Sequence, residues 1–242
     1  RDVPWPAADV LLRDGGIAVI RPLVNEDLDE VRELHLRVSD DAIRLRFFSS
    51  SRLSALQYVD HLARDDGALA LVALVDRRIV ALASAEPLEA GSAEVAFLID
   101  ENQRGRGLGS LLLEHLAAVA RRRDVGRFVA EVLPENHAMI SVLMDAGFTV
   151  TRHTESGVVD IAMDTSVSPR ALAAADERDS LAEASSLARL LRPRSVALVG
   201  VRGDGTGVGA AVLRQIRAGG YRGDLHVVHP RADKILGVPT NR

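Results

Sequence analysis

The 242-residue chain contains no cysteine, which excludes disulfide bonds and thiolate chemistry. Aromatic residues make up only 3% of it, too few for the stacking surfaces that bind single-stranded nucleic acid. A net charge of -4 gives no basic field that would favour a nucleic-acid partner. No apolar run approaches the roughly 20 residues of a membrane-spanning helix, and the first six residues are too polar and proline-rich for a secretory leader. These absences predict a cytoplasmic protein with no membrane partner and no nucleic-acid partner.

The sequence pattern changes twice along the chain and divides it into three parts. Over residues 1–164, short apolar strands alternate with amphipathic helices, which predicts an α/β domain with a mixed central sheet of about seven strands flanked by helices. Alanine, serine and acidic residues dominate residues 165–194, which indicates a partly helical linker. Residues 195–242 contain a strand, a glycine-rich loop, a helix and a second strand. We therefore expect the truncated start of a βαβ unit, and a chain that is a piece of a longer protein.

Two helix ends are marked by residue type. Asn25 precedes two acidic residues and an apolar repeat at helical spacing, which predicts that it caps the first helix. Gly147 follows a helix expected over Asn136–Ala146, which predicts a left-handed residue at the end of that helix.

A cluster of arginine and glycine lies between an apolar strand and an apolar helix, with the sequence Arg104-Gly105-Arg106-Gly107-Leu108-Gly109. The first amide N–H groups of a helix have no intrahelical partner and carry partial positive charge. Glycine lets an anion approach the backbone closely, because there is no Cβ in the way. The cluster therefore predicts a phosphate-binding cradle. A plain strand-to-helix turn with solvated arginines is the alternative.

The pattern Arg-x-x-Gly-x-Gly in this position resembles the pyrophosphate loop of the GNAT acetyltransferase superfamily. The order of elements from Ile17 to Met163 is similar to that family, and so is the segment that runs from Asn136 to Gly147-Phe148. The resemblance implies the GNAT fold and acetyl-CoA as the co-substrate. It places the pyrophosphate on Arg104, Gly105, Arg106, Gly107, Leu108, Gly109 and Ser110.

The same resemblance implies a path for the pantetheine arm, which in this family pairs like an extra strand with the end of a sheet strand. Here it would pair with the backbone groups of Phe97, Leu98 and Ile99. Asn136 would bond the pantetheine or hold the splayed neighbouring strand. Its alternative role is local, as a helix-terminal residue that bonds its own backbone.

One acid, Glu94, interrupts the apolar strand Ala93–Ile99. Strand alternation places it on the same face as Ala96 and Leu98. A glutamate whose pKa is raised by apolar surroundings is a suitable general base, acting directly or through a water. Protein acetyltransferases that this chain resembles carry a glutamate base at this position, which implies that role for Glu94. The alternative is an exposed side chain at the start of the strand.

The chain departs from many GNAT enzymes at Leu143, where those enzymes have a tyrosine that protonates the leaving thiolate. A thiol with a pKa of about 8.5 can leave near neutral pH without a side-chain acid, or with water in that role. The seven histidines show no metal-ligand spacing, so no metal site is predicted. We expect the acceptor surface on the Asp40–Asp66 helices and the Glu86–Ser92 loop.

Residues 195–242 resemble the opening of the CoA-binding, Rossmann-like domain of ADP-forming acyl-CoA synthetases. The chain departs from that pattern at Gly200-Val201-Arg202 and at His229-Pro230. A GNAT domain followed by such a domain resembles the bacterial, actinobacterial-order Pat-type protein lysine acetyltransferases. The resemblance implies acetylation of a lysine on a protein substrate, an acyl-CoA synthetase, in a ternary complex. A small-molecule amine acetyltransferase and a non-catalytic acyl-CoA sensor that regulates a fused synthetase-like domain are the alternatives.

Overall fold

The computed structural model describes residues 5–64, 67–89, 91–155, 157–191 and 193–242. Three residues of the predicted acceptor surface, Asp65, Asp66 and Ala90, lie outside these ranges. The chain forms two compact units, the first ending at Ala184 and the second beginning at Ser185.

The first unit is built on one sheet of eight strands, one more than predicted. Its strands are β1 (Ala8–Leu11), β2 (Ile17–Pro22), β3 (Leu69–Val75), β4 (Arg78–Pro87), β5 (Ser92–Ile99), β6 (Arg127–Val132), β7 (Val150–Glu155) and β8 (Val158–Asp164). They lie in the order β1-β2-β3-β4-β5-β6-β8-β7. Every neighbouring pair is antiparallel except β5 and β6, which are parallel, so the sheet is mixed as predicted.

Helices flank this sheet, and their ends follow the residue types at their termini. They are α1 (Leu28–Arg37), α2 (Asp40–Phe47), α3 (Arg52–Leu62), α4 (Leu108–Arg121), α5 (His137–Asp145) and α6 (Pro169–Leu191), with short 3-10 turns at Asn25–Asp27 and Glu101–Gln103. The prediction that Asn25 caps the first helix was wrong. The Asp27 carboxylate accepts the Val24 N–H at 3.0 Å instead, and it is held by Arg21. Gly147 has a φ of 83°, which confirms the left-handed residue after α5.

Alternation along the strands sends apolar side chains to both faces of the sheet. On one face, Val72, Leu82 and Leu98 pack with α1, α2 and α3. On the other, Val95 and Phe97 belong to a cluster that includes the buried leucines of α4. Burying one such side chain contributes roughly 1.5–3 kcal/mol, so the two clusters fix both faces of β5.

The parallel pair β5 and β6 separates along its length. Its ladder consists of Ser92 with Arg127, Ala93 with Phe128, and Glu94 with Val129. Beyond Glu94 the two strands diverge, whereas β5 stays paired with β4 as far as Ile99. The edge of β5 that faces β6 therefore offers backbone groups to a ligand from Val95 onward.

The second unit has its own four-stranded sheet and a small core. Its elements are β9 (Ser195–Val199), α7 (Gly207–Ala218), β10 (Asp224–Val228), β11 (Lys234–Ile235) and β12 (Val238–Asn241). Strands β9 and β10 are parallel and are joined through α7, as the predicted βαβ unit requires. Helix α7 begins at Gly207, directly after the glycine-rich loop. Among the helices of the described residues, none is both long and apolar enough to span a bilayer.

Candidate active site

The divergence of β5 and β6 opens a cavity of about 590 Å³. The cavity is bordered by the end of β5, the loop and first turn of α4, and the start of α5. Ten of the residues singled out from the sequence line it, namely Phe97, Leu98, Ile99, Arg104, Gly105, Gly107, Leu108, Gly109, Ser110 and Asn136. The divergence of β5 and β6 thus brings together residues from two separate segments of the chain.

The loop before α4 depends on glycine at two positions. Gly105 and Gly107 have φ values of 75° and 88°, in the left-handed region that other residues enter at a cost of roughly 1–2 kcal/mol. Gly107 is the residue that caps α4, so the N–H groups of Leu108, Gly109 and Ser110 have no carbonyl partner within the helix. Their amides lie where a phosphate would accept them.

Gly109 has a different role, since it lies inside the helix. A Cβ there would lie 3.0 Å from Cγ2 of Val142 and 3.5 Å from Cδ1 of Ile99. The small residue therefore lets α4 approach α5 and the end of β5 closely. This close packing places the helix terminus at the wall of the cavity.

Asp100 anchors the entry to this loop. Its Oδ2 accepts Arg37 Nε at 2.8 Å, and its Oδ1 accepts the Asn102 backbone N–H at 3.0 Å. Burial on its own would raise the pKa of Asp100, but the bonds from Arg37 and Asn102 outweigh it and the pKa is lowered. The buried, ionised carboxylate ties the end of β5 to α1 and fixes where the loop begins.

The arginines of the loop divide between two roles. Arg104 is exposed and lines the cavity. Arg106 does not line it, because its guanidinium binds both carboxylate oxygens of Asp14, at 2.9 and 3.2 Å, and also contacts Gln103. The Arg106 carbonyl accepts the Arg13 N–H at 3.0 Å. Arg106 therefore attaches the β1–β2 turn to the loop.

That attachment brings Arg13 to the cavity, a residue that the sequence motif did not identify. Arg13 lines the cavity and packs on the loop, since a Cβ at Gly107 would lie 3.3 Å from Arg13 Cγ. Arg13 and Arg104 thus supply the side-chain positive charge at the helix terminus. Both are exposed, which suits a ligand phosphate that remains partly in solvent.

Asn136 and Leu143 form part of the opposite wall. Asn136 Oδ1 caps α5 by accepting the Met139 N–H at 3.2 Å, while the residue also lines the cavity. The local role and a ligand role are therefore compatible, since its side-chain nitrogen is a separate group. Leu143 is fully buried and also lines the cavity. It places an apolar side chain where many GNAT enzymes have a tyrosine.

Glu94 lies on the α1–α3 face of β5, at the last rung of the β5–β6 ladder, and is exposed. It borders a second depression, a groove of about 550 Å³ over β6, β8 and β7. Ala130 and Glu131 line both the groove and the cavity. Glu94 itself borders the groove but does not line the cavity.

Directly opposite Glu94, on β4, lies a second acid that the sequence reasoning placed in a loop. Glu86 pairs with Glu94 in the antiparallel register. The Tyr58 hydroxyl donates to Glu86 Oε1 at 2.8 Å, and His61 Nε2 lies 3.3 Å from Glu86 Oε2. Burial raises the pKa of Tyr58 to about 12, so its hydroxyl keeps its proton and remains a donor. The sequence signal for this position of Glu86 was the alternation of polar and apolar residues, which continues past the predicted strand end at Ala85.

The profile of the Acetyltransferase (GNAT) family matches residues 32–148. A curated Pseudomonas aeruginosa protein, Acetyltransferase PA5475, is 30% identical over 148 residues, and the match covers 58% of this chain and 80% of that protein. This chain belongs to the GNAT acetyltransferase family.

Two further GNAT relatives match the same part of the chain. Acetyltransferase Pat of Mycolicibacterium smegmatis is 31% identical over 165 residues, covering 64% of this chain and 48% of that protein. The chain therefore spans about half the length of that relative. The crystal structure of the GNAT domain of S. lividans PAT is 39% identical and superposes with a TM-score of 0.61, covering 66% of this chain and 99% of that domain.

GNAT acetyltransferases use acetyl-CoA as their co-substrate, and the residues present fit it. Glycines at positive φ leave the first amides of α4 open to a diphosphate. The free edge of β5 offers backbone groups to the two amides of a pantetheine arm. The chemistry of the donors therefore matches the diphosphate and amide groups of the coenzyme.

Proposed function

We propose that this chain transfers the acetyl group of acetyl-CoA to the lysine side chain of a protein substrate, with an acyl-CoA synthetase as the substrate class. The observation that carries the proposal is the position of Glu94. It is an exposed carboxylate on the groove over β6, β8 and β7, and its partner Val129 directly precedes Ala130 and Glu131, which line both the groove and the β5–β6 cavity.

In the proposed reaction, each step uses a group of this chain. A lysine ammonium, with a reference pKa of about 10.4, must lose a proton before its nitrogen can attack, and Glu94 accepts that proton directly or through water. The amine nitrogen then bonds to the thioester carbonyl carbon. Backbone N–H groups on the free edge of β5, those of Phe97 and Ile99, are the candidates to donate to the resulting oxyanion. The carbon–sulfur bond breaks, the nitrogen of the new amide releases its second proton to water, and the thiolate takes a proton from water, since Leu143 supplies none.

The groove next to Glu94 supports a macromolecular acceptor. Its floor is the face of β6, β8 and β7 that carries Arg127, Glu131, Thr151 and His153, all of them exposed. A polar, open sheet face suits a protein segment better than a small amine, which is usually held in an enclosed pocket. The resemblance to Pat-type enzymes, and the relatives that carry that name, point the same way.

The proposal for the second unit starts from the sequence resemblance. We place the start of a CoA-binding, Rossmann-like domain at residues 195–242, after a GNAT domain over residues 1–164 and a linker over residues 165–194. The parallel pair β9 and β10, joined through α7, supports this assignment. Calorimetry of the isolated second unit with CoA would test it once that unit is shown to fold.

The test of the main proposal is a thiol-release assay with acetyl-CoA and purified acyl-CoA synthetase, run in parallel with a panel of small amines. We expect the synthetase to be acetylated, and Glu94→Gln to lower kcat by about 100-fold or more while the Kd for acetyl-CoA stays the same. Glu33→Gln, at an exposed acid of α1 outside both depressions and outside the predicted acceptor surface, is the matched control. Lys234 is the one lysine of the chain, so Lys234→Arg removes any self-acetylation signal.

Each contrary outcome of this assay has a defined meaning. Turnover of small amines without the synthetase would assign the chain to the small-molecule acetyltransferases. Tight acetyl-CoA binding without transfer to any acceptor would make it an acyl-CoA sensor. A Glu94→Gln variant that retains full kcat would remove Glu94 from the reaction.

A further inference from the structure

The two acids beside the proposed acceptor site are like charges on neighbouring strands. Glu86 and Glu94 are directly opposite on β4 and β5, and both project to the face of the sheet that packs against α1–α3. Directly opposite residues on an antiparallel pair have Cβ atoms about 4.5–5.5 Å apart, and like charges there destabilise the pair. A cation beside the pair would offset that repulsion.

Glu86 is held in place on the α3 side. Tyr58 donates to one of its oxygens, His61 lies beside the other, and the side chain is only 25% exposed. The Tyr58 hydroxyl also lies 2.7 Å from Ser84 Oγ. Glu86 is therefore a fixed charge, whereas Glu94 is exposed to the groove.

Arg46 of α2 is linked to this pair through Tyr58, since it stacks on the Tyr58 ring and the Tyr58 hydroxyl binds Glu86. Its guanidinium carbon lies 4.7 Å from the ring centroid of Phe47 and 4.8 Å from that of Tyr58, so it is stacked on two aromatic rings. It is partly buried and lines the cavity. Burial lowers the pKa of Arg46, and the negative charges of Glu94 and Glu86 act in the opposite direction.

We propose that Arg46 is a positioning residue that balances the charge of the Glu86–Glu94 pair and so keeps Glu94 ionised and ready to accept the acceptor's proton. The proposal rests on the proposed role of Glu94 as the base. Without Arg46, the fixed charge of Glu86 would favour the protonated form of Glu94, which cannot act as a base. Glu86 and Arg46 are then an opposed pair of charges that sets the pH range in which Glu94 works.

Other charged or titratable groups surround Arg46, Glu86 and Glu94, and they are unchanged in every variant tested. On α1 the nearby group is His35, whose ring lies 5.9 Å from that of Phe47. On α3 they are Tyr58 and His61. Around the groove they are Arg127, Glu131, Arg152, His153 and Asp160.

The test measures the titration of Glu94 without any acceptor. Glutamate labelled with ¹³C at the side-chain carboxyl is incorporated into the full chain, and the Glu94 signal is assigned by its loss in Glu94→Gln. We expect the titration midpoint of Glu94 to move to higher pH by about half a unit to one unit in Arg46→Gln. It should move to lower pH in Glu86→Gln and return close to the wild-type value in the double variant. Arg46→Lys keeps the charge and should leave the midpoint close to wild type.

The acidic limb of kcat/KM, measured with whichever acceptor the wild-type chain acetylates, should move in the same directions. A merely structural role for Arg46 would lower activity without moving the midpoint in opposite directions in the two single variants. If the midpoint moves in neither single variant, the proposal is overturned, and the Glu86→Gln arm still decides it should Arg46→Gln fail to fold. Because the titration needs no acceptor, this result is independent of whether a protein lysine is the substrate.

Discussion

Replacing Gly107 by alanine tests the cradle at the residue on which its geometry depends most. Gly107 caps α4 with a φ of 88°, where an alanine costs roughly 1–2 kcal/mol. Its new Cβ would also lie 3.3 Å from Arg13 Cγ, so that side chain must shift by a few tenths of an ångström. If the unliganded loop relaxes to relieve the strain, acetyl-CoA binding must restore the strained loop conformation. The Kd for acetyl-CoA should then rise about 5- to 30-fold. If the loop cannot relax, the free energy of unfolding should fall by the same 1–2 kcal/mol.

Calorimetry measures the Kd for acetyl-CoA and urea unfolding measures the free energy of unfolding, so the two measurements together detect either outcome. Gly157→Ala is the matched control, because Gly157 has a φ of 82° in open space at the β7–β8 turn, far from the cradle in the sheet. It should lower stability by a similar amount and leave the Kd unchanged. A Gly107→Ala variant with both quantities at the wild-type value would refute the reasoning.

Three further predictions use other parts of the structure. Arg13→Ala should raise the Kd for acetyl-CoA about 5-fold, with Arg77→Ala unchanged, and comparison with acetyl-dephospho-CoA would show which phosphate Arg13 contacts. Burial lowers the pKa of His35 from 6.5 to about 4, and its neutral Nδ1–H donates to Val31 O at 2.8 Å. Stability from this residue is therefore complete above pH 6.5 and falls by up to about 3 kcal/mol as the pH drops to about 4, a slope that urea unfolding should find missing in His35→Gln. Gly147→Ala should destabilise the chain by at least about 2 kcal/mol in thermal unfolding, because its Cβ would lie 2.7 Å from the backbone of Arg170 and Ala171.

The sequence predicted those secondary-structure elements that are marked by a pattern of adjacent residues. The start of α4 lies in the arginine–glycine cluster, as expected, because the glycine-rich turn marks it directly. Asn25 lies inside the 3-10 turn that precedes α1, and the side chain that accepts a backbone N–H there is Asp27, which is held by Arg21. Residue type alone did not distinguish two candidates so close together.

The candidate site also contains residues with a local sequence signal and residues without one. The glycine-rich turn before α4 was predictable, since its glycines and the helix that follows are adjacent in sequence. Arg13 was not, because it reaches the cavity through the pairing of Arg106 with Asp14, 92 residues apart. The Glu86–Glu94 pair depends on the register of β4 against β5, and Arg46 reaches that pair only through the packing of α2. Contacts of this kind follow from tertiary structure, which no local pattern encodes.

The central claim is that the cleft between β5 and β6 holds acetyl-CoA with its acyl carbon beside Glu94. A crystal structure of the chain with acetyl-CoA tests it most directly. We expect the diphosphate on the amides of residues 107–110, the pantetheine paired with the free edge of β5, and the thioester carbonyl next to the Glu94 side chain. A coenzyme bound elsewhere on the first unit, or a thioester at the opposite end of the cleft from Glu94, would contradict the claim.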